Sequence, residues 1–122
     1  MRTAWVAMDV AAVELFVGIG RNVHAHGVSL TGMASTSWPF LSGLALGWLI
    51  VAAGRRSLTT VPGGVVVVIS TVTLGMILRV IAGQGTAFAF ILVAFGFLGA
   101  TMLGWRAAAL GLRRVRSPNP TS

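Results

Sequence analysis

The chain has 122 residues, of which 56% are hydrophobic and only 9% are charged. A soluble domain this small needs a polar surface, and ordinary soluble domains contain about 25% charged residues. This composition therefore excludes a soluble domain. It predicts a single domain that is solvated largely by the lipid bilayer. All nine basic residues are arginines that interrupt apolar runs, so we interpret the net charge of +7 as membrane-flanking charge and expect no nucleic-acid binding. The lack of cysteine excludes disulfides, thiolate catalysis and cysteine-based metal sites.

The first apolar segment covers about residues 4–20 and contains two carboxylates, Asp9 and Glu14. Those charges interrupt the continuous apolar stretch that a cleavable signal peptide needs. We therefore interpret the segment as a retained first transmembrane helix.

Three further apolar segments follow, at about residues 38–54, 64–83 and 86–105. Each is close to the 20 or so apolar residues that a membrane-spanning helix needs. The run "VVVVIS" would favour a strand in water, but in hydrocarbon a helix is favoured because it satisfies its own backbone hydrogen bonds. The sequence predicts an all-α bundle of four transmembrane helices over residues 1–112. It is followed by a basic tail, 113–122, that is predicted to be disordered.

The arginines also predict the orientation of the chain. With four spans the two termini and the middle loop lie on one side, and that side holds Arg2, Arg55, Arg56, Arg106, Arg113, Arg114 and Arg116. The other side holds Arg21 and Arg79. Since positive charge is retained in the cytoplasm, both termini are expected there, in an inner (plasma) membrane protein. The basic tail is expected to bind anionic lipids.

Arg79 interrupts the apolar stretch "GMILRVIAGQG", residues 75–85. An unpaired charge within the bilayer is costly, so intramembrane charges usually pair or face water. We predict an ion pair with Glu14, whose height in the bilayer is similar. The alternatives are that Arg79 reaches the headgroups, or that it pairs with Asp9 or with a partner subunit.

The other polar residues leave more than one interpretation open. Asp9 is either a satisfied buried carboxylate, with Trp48 at its height, or lines a proton or cation path together with Glu14. The spacing of five residues keeps the two carboxylates off one helix face, which argues against a catalytic dyad. His24 and His26 could provide two of the ligands of a metal site, but we expect them to belong to a solvated loop. We predict no metal, no cofactor and no enzymatic activity.

Glycines at helical spacing predict close helix packing. Gly43 and Gly47 form a small-xxx-small pair, and Gly96 and Gly104 continue such a spacing through Ala100 in the last segment. The packing is either within one chain or across a homodimer.

Several stretches resemble one known family. An acidic residue in the first helix, "GIGRNVHAHG", "WPFLSGLALGW" and "GMILRVIAGQGTAFAFILVAFGFLGATMLGWR" are similar to the domain of unknown function 3054 family, small four-span membrane proteins of actinobacteria and some archaea. The resemblance implies a fold and a membrane location but no activity. It singles out Asp9, Gly20, Arg21, His24, Pro39, Phe40, Arg79, Gly85, Thr86, Phe90, Gly104, Trp105 and Arg106.

Two functions are compatible with these features. The first is a channel- or transporter-like subunit that handles a proton, an ion or a small solute, as a homodimer because four helices enclose little volume. The intramembrane charges of Asp9, Glu14 and Arg79 favour it. The second is a non-catalytic accessory or assembly subunit of a larger membrane complex.

Overall fold

The structure, a computed structural model, describes residues 3–23 and 29–116. This part of the chain is all-helical, and its four helices are α1 (Ala4–Val23), α2 (Leu30–Ala53), α3 (Val61–Ile81) and α4 (Phe88–Arg116). Helices α2, α3 and α4 are each long and apolar enough to cross a membrane. Helix α1 is of similar length but contains three ionisable residues, Asp9, Glu14 and Arg21, and is not among them.

Capping residues explain where two of the helices begin. The Ser29 hydroxyl accepts a hydrogen bond from the Gly32 amide at the start of α2, and the Thr60 hydroxyl accepts one from the Gly63 amide at the start of α3. Each satisfies an amide that has no partner within its helix. Between α3 and α4 the chain turns at Gly83, whose φ of 77° lies in the left-handed region that favours glycine.

Helix α2 begins eight residues before the predicted start at residue 38, which places Pro39 inside the helix. A proline there removes the amide that would bond the Ser35 carbonyl one turn earlier. The Gln84 side-chain amide, at the α3–α4 turn, donates to that carbonyl at 3.1 Å. The predicted start is corrected because Ser29 caps the helix and Gln84 supplies the missing donor.

Helix α4 continues through Arg116, so residues 113–116, predicted to be part of a disordered tail, are helical. The stretch "RAAALGLRRVR" is rich in alanine, leucine and arginine, which favour helix. At 29 residues α4 is about 43 Å long, against about 30 Å for a bilayer's hydrocarbon core. Its residues beyond Arg106 extend past the bundle and are mostly exposed. We call residues 107–116 the α4 extension.

The four helices form a bundle in which sequence neighbours are antiparallel. Asp9, near the start of α1, contacts Trp48 near the end of α2 and Arg106 in the later part of α4. Among the described residues, close backbone contacts join α1 to α2, α2 to α3, α3 to α4 and α4 to α1, while α1 and α3 lie diagonally opposite. We call the two ends of the bundle the Asp9 end and the Arg79 end.

The core lies along the bundle axis and is apolar. Gly43 and Gly47 let α2 approach α3, since a Cβ at Gly43 would lie 2.7 Å from the Thr71 carbonyl oxygen and one at Gly47 would lie 3.0 Å from the Val67 Cα. A Cβ at Gly96 or Gly104 would meet nothing within 4 Å, so that face of α4 is open in the described chain. The fully or almost fully buried apolar residues are Ala12, Val13, Phe16, Val17, Phe40, Leu44, Val51, Val67, Val68, Val72, Met76, Ala94, Leu98 and Met102.

Candidate functional site

A buried ion pair joins α1 to α4 at the Asp9 end. Asp9 and Arg106 both have a relative exposure of 0%, and the Arg106 guanidinium donates through Nη1 and Nη2 to the two Asp9 carboxylate oxygens at 2.9 and 2.8 Å. Two indole N–H groups complete the site, with Trp48 donating at 3.0 Å and Trp105 at 2.9 Å. We call these four residues the Asp9 cluster.

Two further N–H groups of Arg106 also donate hydrogen bonds. Its Nε donates to the Leu58 carbonyl in the loop before α3, and its Nη1 also donates to the Met102 carbonyl. The guanidinium carbon lies 4.4 Å from the Trp105 ring centroid, a cation–π distance. The arginine stem passes α3 at Gly64, where a Cβ would lie 2.5 Å from the Arg106 Cδ.

The Asp9 cluster therefore connects three helices and a loop through satisfied hydrogen bonds. A buried carboxylate with four donors, two of them from a paired guanidinium, is stabilised in one geometry. Both side chains are closed off from the surroundings. The arrangement fits a structural cross-link and leaves Asp9 no free oxygen for a proton or cation path.

A cavity of about 760 Å³ lies at the opposite end of the bundle. All four helices and the α3–α4 turn contribute to its wall. We call it the Arg79 cavity; its lining residues are Phe16, Val17, Gly20, Arg21, Ser35, Thr36, Arg79, Gln84, Gly85, Ala87, Ala89, Phe90 and Val93.

Arg79 is held in the wall of this cavity by neutral groups. Its Nε donates to the Gly85 carbonyl and its Nη1 to the Gln84 side-chain oxygen, both at 2.8 Å. The guanidinium carbon lies 4.7 Å from the Phe90 ring centroid. Gln84 is itself fixed by its bond to the Ser35 carbonyl. Among the described residues, therefore, no carboxylate neutralises the Arg79 charge, while the side chain is held in one position.

Arg21 brings a second guanidinium to the same cavity. Its Nη1 donates to the Thr36 hydroxyl at 2.9 Å, which links the end of α1 to α2. Arg21 and Arg79 each lie in the last turn of their helix, where a cation also interacts favourably with the helix dipole. Two guanidinium groups therefore line one cavity.

Glu14 does not pair with Arg79, and the predicted ion pair is corrected. Its Oε1 accepts from the Ser37 hydroxyl at 3.1 Å, and its buried Oε2 has no hydrogen-bond partner among the described residues. The physical reason is the diagonal position of α1 and α3, which make no close backbone contact with each other in the described chain. Bilayer height alone could not reveal which helices are neighbours.

The predicted histidine pair, His24 and His26, lies outside the described residues. Among the residues that the structure does describe, no group of three or more histidine, cysteine, aspartate or glutamate side chains could hold a metal ion.

Sequence reasoning missed three contributors to these sites. The charge distribution assigns Arg106 to the cytoplasmic flanking charges, and the residue pattern gives Trp105 no partner. The family resemblance did single out both, together with Asp9. Gln84 gave no signal, since its role depends on a carbonyl that Pro39 leaves free in another helix.

The described part of the chain is an all-helical bundle with three helices able to cross a membrane, and its ionic groups lie inside the bundle or at its two ends. This is the architecture of a membrane-embedded protein. The family model described as a protein of unknown function (DUF3054) matches residues 6–109, and the chain belongs to that family. No curated protein and no solved structure matches the chain.

Proposed function

We propose that the chain crosses the membrane four times, with α1 as the fourth span. The charge of Asp9 is enclosed by the Asp9 cluster, and the exposed large side chains of α1 are the apolar Met8, Leu15 and Ile19. Helix α1 thus offers lipid an apolar surface although it contains ionisable residues. Its 20 residues give a length of about 30 Å, enough for the hydrocarbon core.

The proposed orientation has both termini in the cytoplasm of a plasma membrane protein. In this arrangement the Asp9 end is cytoplasmic and contains six of the eight described arginines, while Arg21 and Arg79 lie at the outer end. The α4 extension would then lie at the cytoplasmic leaflet. Its Arg113, Arg114 and Arg116 are exposed and suited to anionic lipid headgroups.

We propose that the chain is a non-enzymatic, transporter- or channel-like subunit that binds a small anionic solute in the Arg79 cavity. The observation that supports this most is the fixed Arg79 cation, which lines a cavity of about 760 Å³ and has only uncharged hydrogen-bond partners in the described chain. A charge held in that way inside a membrane bundle is expected to serve a ligand or a path.

The closed core limits what a single chain can do. Phe16 and Phe90 lie towards the bundle centre from the cavity, and fully buried residues such as Val13, Leu98 and Met102 fill the axis beyond them. Passage of a solute through one bundle therefore requires a rearrangement of the helices. Passage between bundles requires a second subunit, and this is why we propose the role of a subunit.

The test is an anion panel on the purified protein in neutral detergent, with thermal unfolding as the measurement. Chloride, inorganic phosphate, a short carboxylate and an alkyl phosphate are each compared at constant ionic strength, since a ligand that binds only the native state raises the unfolding temperature. At least one anion should stabilise wild type and Arg56→Gln, and fail to stabilise Arg79→Gln. Arg56→Gln is the matched control because it removes the same charge from an exposed residue of the α2–α3 loop. Equal stabilisation of all three proteins would contradict the proposal.

A second candidate function, an accessory subunit of a larger membrane complex, is favoured by the open face of α4. Gly96, Gly99 and Gly104 would each accept a Cβ without contact in the described chain. Such a face permits close approach of another helix. Native mass spectrometry from a mild detergent separates the two: a co-purifying larger partner favours the accessory role, and a homodimer with bound anion favours the first proposal.

A further inference from the structure

The wall of the Arg79 cavity is divided by depth into a polar part and an apolar part. Arg21, Arg79 and Gln84 lie at the Arg79 end, together with the hydroxyl residues Ser35 and Thr36. Towards the bundle centre the wall consists of Phe16, Val17, Phe90 and Val93. Along α1 the five residues from Phe16 to Arg21 correspond to about 7.5 Å. A ligand that fills the cavity therefore meets cations at one end and hydrocarbon at the other.

The α4 side of the cavity is open to the surroundings of the bundle. Ala87, Ala89 and Val93 line the cavity and are also exposed, with Val93 at 58% relative exposure. Ala89 and Val93 belong to a helix apolar enough to cross the membrane, so we infer that this wall faces lipid. A ligand with an alkyl chain can enter the cavity or lie along this wall without bringing water into the bundle.

At the polar end of the cavity, the Arg79 guanidinium has an N–H group available to bind an oxyanion. The two hydrogen bonds of Arg79 to protein use Nε and Nη1, and within the described residues Nη2 has no acceptor. A guanidinium binds carboxylate and phosphate oxygens through several parallel N–H groups. Since Gln84 and Gly85 already fix the side chain, little conformational entropy is lost when a ligand binds.

We propose that the Arg79 cavity binds an amphipathic oxyanion, with a phosphate or carboxylate headgroup on Arg79 and an alkyl chain along Phe16, Phe90 and Val93. This inference rests on the proposed anion-binding function and specifies its ligand class. The same chemistry occurs in an anionic phospholipid of the surrounding bilayer and in a free alkyl phosphate or fatty acid.

The experiment is native mass spectrometry of the full chain in neutral detergent, titrated with octyl phosphate or with inorganic phosphate. We expect one octyl phosphate per chain. It should bind far more tightly than inorganic phosphate, since each buried methylene contributes about a fourfold gain in affinity. Arg79→Gln should weaken octyl phosphate binding about 10- to 100-fold, the range for a hydrogen bond to a charged group. Arg56→Gln, with the same loss of charge at an exposed loop residue, should bind as wild type does.

A second variant tests the apolar part separately. Val93→Trp fills the lipid-facing wall without changing charge, so it should weaken octyl phosphate binding and leave the binding of inorganic phosphate unchanged. Arg79→Lys keeps a cation and should recover part of the binding lost in Arg79→Gln. Thermal unfolding checks that each variant is folded. If Arg79→Gln is unfolded, Arg79→Lys replaces it.

The outcomes distinguish this inference from the function on which it rests. If both phosphates bind equally tightly and both require Arg79, the amphipathic ligand is wrong and anion binding stands. If no anion binds wild type, or if Arg79→Gln and Arg56→Gln behave alike, both are wrong. Repeating the titration in nanodiscs identifies the source: competition by phosphatidylglycerol but not by phosphatidylcholine indicates a lipid ligand, and undiminished octyl phosphate binding indicates a free amphiphile.

Discussion

Removing either member of the buried Asp9–Arg106 pair should destabilise the protein strongly. In Asp9→Asn the carboxamide keeps one acceptor oxygen, while its NH₂ group faces donors, so two of the four hydrogen bonds at Asp9 lose their acceptor. The Arg106 charge is then buried at 0% exposure without a counter-ion. Breaking a buried pair on one side costs about 3–5 kcal/mol, and we expect that loss for Asp9→Asn and for Arg106→Gln.

The double variant should lose less than the sum of the two single losses, because no unpaired charge stays buried. We expect a coupling free energy of about 2–3 kcal/mol, measured by thermal unfolding in mild detergent as a double-mutant cycle. Glu14→Gln is the matched control: it makes the same kind of change on the same helix, but Glu14 accepts one hydrogen bond, from Ser37, which glutamine can keep. Its loss should stay below about 1 kcal/mol. Additive losses at Asp9 and Arg106, or an equal loss at Glu14, would refute the structural cross-link.

Three further predictions concern topology, packing and the lipid contact. A cysteine introduced at Ser29 should react with an impermeant thiol reagent on intact cells and one at Ser57 should not; the reverse pattern would invert the orientation. Gly43→Ala should cost about 1–3 kcal/mol in thermal unfolding, because its Cβ would lie 2.7 Å from a backbone oxygen of α3, whereas Gly96→Ala should cost nothing; equal effects would contradict the helix contact. A peptide of residues 105–122 should bind anionic vesicles, with each arginine contributing about 1 kcal/mol, and should dissociate as salt rises; equal binding to neutral vesicles would remove the electrostatic explanation.

The sequence predicts the helical class and the number of helices, because both depend on local properties. Apolar length and the requirement for internal hydrogen bonding define each helix without reference to its neighbours. Element ends are less predictable when a distant residue decides them. The start of α2 depends on Gln84, which lies 49 residues along the chain from the carbonyl that Pro39 leaves free.

The pairing of charges could not be predicted, since it depends on which helices are adjacent. Height in the bilayer placed Glu14 near Arg79, but α1 and α3 are diagonal in the bundle. The same reasoning assigned Arg106 to the membrane surface, although α4 continues beyond it and leaves it buried against α1. Predicting the partners of Arg79 and Arg106 requires knowing which helices are adjacent, for example from co-varying residue pairs.

Protection of a single cysteine at the mouth of the Arg79 cavity tests anion binding at Arg79 most directly. The natural chain has no cysteine, so Ala87→Cys, at an exposed residue of the cavity wall, is a unique probe. Octyl phosphate should slow its reaction with a thiol reagent, and should not slow the reaction of Ser57→Cys at the opposite end. Adding Arg79→Gln should abolish the protection at position 87. If the reagent reacts at position 87 at the same rate with and without octyl phosphate, phosphate or a short carboxylate, the Arg79 cavity does not bind anions.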